Sequence, residues 1–150
     1  MTDPGVRTAP LASPIHAILL AFPVALYPAA LVSDIAYLQT AVVQWTNFSQ
    51  WLIAGADLFA GLLLAWALIA FFFGPGRRMG ARGARGRSLL YLIVVASMFV
   101  TGFVNALQHA KDGWHSVGTA GLVMSIVCTV LALVAAFIVH SRTVVTETRS

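Results

Sequence analysis

The sequence predicts an all-α fold, a four-transmembrane-helix bundle with the N- and C-termini cytoplasmic. Three observations predict it. First, the chain is 59% hydrophobic and only 9% charged, with a mean hydropathy of +0.87, far too apolar for a soluble domain of this size. Second, the apolar residues are gathered into four continuous runs. Each is close to the roughly 20 residues an α-helix needs to cross a hydrocarbon core about 30 Å thick. Third, the basic residues are distributed unevenly around those runs, as topology signals are.

A polar tail, residues 1–14, comes first and carries Pro4, Pro10 and Pro14. The run behind it is a full span without a clear small-residue cleavage site, so it reads as a helix and not as a cleaved signal. The spans fall near 16–38, 50–73, 88–108 and 117–139, within a membrane domain of 15–140, and a polar tail of 141–150 follows. The runs lack the alternation of barrel strands, and a helix satisfies its own backbone in lipid. Between spans two and three lie Arg77, Arg78, Arg82, Arg85 and Arg87; Arg7, Arg142 and Arg149 lie in the tails. With four spans these eight face one side and Lys111 faces the other. The Arg side is then cytoplasmic, and loops 39–49 and 109–116 face outward. The segment FGPGRRMGARGARGR reads as a flexible linker able to touch anionic lipid.

This placement of charge argues against nucleic acid as a partner, despite the net charge of +4. Cys128 is the single cysteine, so no disulfide forms within the chain, and it reads as a small packing residue in span four. No phosphate loop, dinucleotide fingerprint or Ser/His/Asp constellation is present.

Small residues at helical spacing mark the packing faces. They are Gly118, Gly121, Ser125, Cys128, Ala132 and Ala136 in span four, and Ala54, Asp57, Gly61 and Ala65 in span two. Small side chains let helices approach closely in lipid. In span one His16, Pro23, Tyr27 and Asp34 follow steps of seven, four and seven, which places them on one helix face. That face is expected to turn inward, with Pro23 and Pro28 interrupting the backbone ladder. Asp57 is an intramembrane carboxyl, a costly group that calls for a partner and that burial keeps neutral.

The stretch NALQHAKDGWHSV, residues 105–117, is dense in polar groups for so apolar a chain. Asn105 and His109 are four apart on one face of span three. With Asp112, His115, Asp34 and Asp57 they are expected in the outer half of the bundle, where they can close a polar cluster. His109, Asp112 and His115 together offer metal-ligand chemistry, and Asp34, Asp57, Asn105 and Tyr27 are the buried polar or proton-handling candidates. The structural alternative is that His109 and Asp112 cap span three while Trp45, Trp51, Trp114 and Tyr37 anchor the outer interface. A haem would need histidine ligands at one depth. His16 and His140 share the cytoplasmic end and His109 and His115 the outer end, so His16 with His140 is the pair with room for a porphyrin.

SPIHAILLAFPVALYPAALVSDIAY resembles the first span of the bacterial membrane-protein family known as domain of unknown function 2231. The resemblance rests on Pro14, His16, Phe22, Pro23 and Asp34. FVNALQHAKDGWHSVGTAGL is similar to the family's Asn-x-x-x-His-x-x-Asp-x-Trp segment, through Asn105, His109, Asp112, Trp114 and Gly121. It covers residues 13–139. Arg87-Ser88-Leu89 stands where many relatives carry a His, FFFGPG where many have an Asp, and His115 where Thr or Ser is commoner. The resemblance implies a four-helix inner-membrane protein, and some relatives neighbour soluble sugar-dehydrogenase-type proteins, which brings a redox role into view.

The expected function is a small integral protein of the bacterial inner membrane, an accessory or anchor subunit of a respiratory or dehydrogenase complex, with no catalysis of its own. Its partners would be lipid and other membrane or periplasmic subunits, and no cofactor is required. Two alternatives stand beside it. One is a haem b or quinone-linked electron-transfer subunit. The other is a metal or proton site at the periplasmic mouth of the bundle.

Overall fold

Ser13 starts the first helix. Its hydroxyl accepts from the His16 N–H at 3.3 Å, and Pro14 occupies the first helical position, where its missing N–H costs nothing. Helix α1 then runs Pro14–Thr40. It passes through Pro23 and Pro28, which leaves the carbonyls of Leu19 and Val24, four residues earlier, without a helical donor. Ala41 ends it in the left-handed region, φ 54°, with its N–H donating to the Tyr37 carbonyl at 2.8 Å. Helix α2 is Gln44–Phe73, α3 is Arg82–His109 and α4 is Thr119–His140. The computed structural model describes residues 13–73, 82–111 and 117–141, and among these no strand occurs.

All four helices are long and apolar enough to cross a membrane, so the chain is a multi-pass membrane protein. Two boundaries differ from the sequence expectation. The connection between α1 and α2 is residues 41–43 instead of 39–49, because the polar stretch QWTNFSQ is the first part of α2. A helix pairs its own backbone whatever its side chains are, so a span continues into the polar interface where hydropathy no longer marks it. Likewise α3 begins at Arg82, inside the segment read as a linker; Arg and Ala are strong helix formers.

The helices form a ring. The backbones of α1 and α2, α2 and α3, α3 and α4, and α4 and α1 pack against each other, while the diagonal pairs do not. The diagonal is crossed by side chains. Leu20, Ile53, Leu63, Val95 and Met98 fill the centre with Ala30, Ala56, Ala60, Ala132 and Ala135. On α4 the buried face is Gly121, Ser125, Cys128, Ala132 and Ala135, with Ala136 half-buried. On α2 the buried face is not the expected one. Ala54 and Ala65 are exposed, and Ser49, Ile53, Ala56, Asp57, Ala60, Leu63 and Ala67 turn inward. The sequence AGADLFAGLLLAWA offers small residues on more than one face. The choice falls on the face that also buries Ser49 and Asp57, since buried polar groups need internal partners. Large apolar side chains cover the outside in every direction, among them Ile18, Leu58, Ile69, Val100, Val130 and Phe137.

Candidate functional site

The inward face of α1 carries His16, Tyr27 and Asp34, all buried. At 1.5 Å per residue Tyr27 lies about 16 Å from His16, and Asp34 about 10 Å beyond Tyr27. Three polar layers are thus stacked through the bundle, separated by apolar packing.

The layer at the α1–α2 turn is the richest. Asp34 is fully buried, and each of the other three helices sends it a hydrogen-bond partner. Ser49 of α2 donates to Oδ1 at 2.5 Å. Ser125 of α4 donates to Oδ2 at 2.5 Å. His109, the last residue of α3, places Nε2 3.0 Å from Oδ1. Asn105 supports the arrangement by donating from Nδ2 to Ser125 Oγ at 2.9 Å, which directs the serine hydrogen toward Asp34. The other ring nitrogen of His109, Nδ1, is 3.0 Å from the Asn105 backbone carbonyl. A carbonyl only accepts, so Nδ1 carries a hydrogen. One proton therefore lies on the line between Nε2 and Oδ1, and the pair is neutral in sum whichever atom owns it. A buried carboxyl without such partners would cost several kcal/mol. Among the described residues, Asn105 Oδ1 is the one buried side-chain polar atom of this layer without a hydrogen-bond partner.

The middle layer is sparser. Tyr27 donates its hydroxyl to Asp57 Oδ1 at 3.2 Å, and that is the only hydrogen bond to Asp57 among the described residues. The pair lies against Gly102 of α3. A Cβ at that position would stand 2.2 Å from the Tyr27 hydroxyl oxygen and 2.5 Å from Asp57 Oδ1. Glycine is therefore what lets tyrosine and aspartate occupy the seam between α2 and α3.

In the third layer His16 Nε2 is 2.8 Å from the Tyr91 hydroxyl, with the Trp66 ring 6.3 Å away. His16 Nδ1 is buried without a partner. Arg87 reaches from the start of α3 to the end of α4, donating to the Ile138 carbonyl at 2.6 Å and to Ser141 Oγ at 2.5 Å. This pairs a cation with the unpaired carbonyls of a helix C-terminus. His140 is at the same end as His16 but is exposed, its Nδ1 2.8 Å from the Ala136 carbonyl.

The expected outer cluster therefore divides. Asp34, Asn105 and His109 are joined, while Asp57 pairs with Tyr27 one layer deeper. Asp112, Trp114 and His115 lie outside the described residues. Among the described residues no three His, Cys, Asp or Glu side chains are grouped so as to hold a metal ion. Ser49, Tyr91 and Gly102 are the participants that sequence reasoning missed, and Ser125 was read there only as a packing residue. For Ser49 a signal existed, since it is the buried polar residue one helical face from Ile53 and Ala56. Nothing local marks Gly102.

A family model described as "Predicted membrane protein (DUF2231)" matches residues 12–140. No curated protein matches the chain, and no solved structure does. The family match runs through all four helices and takes in Asp34, Tyr27, Asp57, Asn105 and His109, so the chain belongs to the domain of unknown function 2231 family of membrane proteins.

Proposed function

We propose that the protein is a non-catalytic accessory or anchor subunit of a membrane complex, seated in a bacterial inner membrane by the domain 15–140, with tails 1–14 and 141–150 in the cytoplasm. The observation that carries this reading is the use of Asp34. Both of its oxygens and both nitrogens of His109 are spent on the protein's own groups, drawn from all four helices. Such an arrangement holds a bundle in one geometry, which is what a docking partner needs, and offers no free ligand atom on those two side chains. The orientation follows the Arg residues of 77–87, and Trp45, Trp51 and Tyr37 at the opposite end suit an outer interface.

The test is purification of the full chain from native membranes with its co-purifying proteins identified. A reproducible stoichiometric set of membrane or periplasmic partners is the expected result; a chain that purifies alone at full yield contradicts it. A second reading, an electron-transfer subunit holding haem b or a quinone near His16 and His140, has one observation in its favour, the unpartnered buried Nδ1 of His16. A reduced-minus-oxidised visible spectrum and a quinone assay on the same preparation decide it, and metal analysis of that preparation tests for a bound ion. For the orientation, changing Arg77, Arg78, Arg82, Arg85 and Arg87 together to Glu should disturb insertion. Unaltered protease accessibility of the tails would refute the assignment.

A further inference from the structure

Asp57 is the acid that the bundle leaves underpaired. It sits 13 residues into the 30-residue helix α2, near the middle of the span. Asp34 is fully buried and has three hydrogen-bond partners, whereas Asp57 keeps 7% of its surface open and has one, the Tyr27 hydroxyl. Its neighbours on α2, Ala54 and Leu58, are exposed on the outside of the bundle. The groups facing it are few. From α1 there is Tyr27, and from α3 the backbone of Gly102. Cys128 of α4 is the other titratable group in the layer. The nearest cation-forming side chain on α3, His109, is seven residues or about 10 Å along from Gly102 and is engaged with Asp34. His16 is about 16 Å from Tyr27 along α1. An ionised carboxyl here would have no counter-charge, which the middle of a bilayer penalises heavily.

We propose that Asp57 is a reversible proton-binding site at the middle of the membrane, held as a neutral carboxylic acid at rest with Tyr27 as its fixed hydrogen-bond partner and Gly102 as the gap that admits both. The bound proton resides on the carboxyl. Its release leaves a carboxylate held by the Tyr27 hydroxyl and passes one proton to water, with no other bond made or broken. Asp34 is not such a site, because both of its oxygens are already engaged within the bundle by His109 and two serines. This goes beyond the anchor reading and stands or falls independently of any partner.

A lipid-soluble carbodiimide tests it on the unaltered full-length protein in native-lipid vesicles. The reagent dissolves in the bilayer, adds to protonated carboxyls and leaves a stable acylurea that mass spectrometry assigns to a residue. The expected result is an adduct on Asp57 and none on Asp34. The Asp57 labelling rate should fall with rising pH, approaching about tenfold per pH unit once the acid is mostly ionised. Asp57→Asn should remove the adduct. Absence of the adduct at every pH, labelling that ignores pH, or equal labelling of Asp34 overturns the proposal.

Discussion

Asp34 and Asp57 are both carboxyls inside a membrane bundle, about 10 Å apart along its axis by their contacts with α1, and the fold treats them in opposite ways. Asp34 is closed off and receives a hydrogen-bond partner from each of the other helices. Asp57 has one partner and an open edge. The difference shows that a buried acid is not one kind of feature. Where its hydrogen-bonding capacity is filled from several elements it fixes how they sit together; where it is left partly unfilled it retains the freedom to gain and lose a proton.

Substitutions at the two acids and around them put this contrast to the test. The largest effect is expected for Asp34→Ala, which strands His109, Ser49 and Ser125 in the interior. Removing one partner of a buried, hydrogen-bonded acid–imidazole pair costs about 3–5 kcal/mol, and unfolding in mixed micelles should show a loss of that size. A loss below about 1 kcal/mol would mean that the network contributes little. Next is Gly102→Ala, whose new methyl would stand 2.2 Å from the Tyr27 oxygen. Overpacking of this kind costs about 1–3 kcal/mol. Gly86→Ala, where nothing lies within 4 Å of the new atom, should instead be neutral or stabilise α3 by about 0.5–1 kcal/mol. Equal effects from the two glycines would refute the assigned role of Gly102. Asp57→Leu should change stability by less than about 1 kcal/mol, or raise it, since a well-packed apolar residue can replace a poorly paired buried acid; it should also abolish carbodiimide labelling. A separate effect, of comparable size, is expected at Ala41, held at φ 54°. Ala41→Gly relieves a left-handed conformation and should add about 1 kcal/mol, and a loss would point to a different turn geometry.

Much of this was legible in the sequence, for identifiable reasons. The four helices follow from long apolar runs, because lipid requires each span to satisfy its own backbone. The inward face of α1 follows from the helical spacing of His16, Tyr27 and Asp34. The approach of His109 to Asp34 could be anticipated from depth, since both lie near the ends of their spans on one side. What was not legible depends on the rotation of one helix against another. Ser49 was hidden because polar residues at a span's edge resemble a loop. Asp57 was grouped with Asp34 because depth alone cannot reveal that Tyr27 reaches it first. Gly102 acquires its meaning only from the two side chains of other helices that fill the space above it.

Asp34 ties the bundle together and Asp57 does not. The most direct test is to measure the unfolding free energies of Asp34→Asn and Asp57→Asn side by side in one lipid-detergent mixture, since both changes keep the shape and remove the carboxyl. A loss of about 2 kcal/mol or more is expected for Asp34→Asn, with its partners from three helices left facing a poorer acceptor, and a change within about 1 kcal/mol for Asp57→Asn. Equal losses, or a larger loss at Asp57, would contradict it.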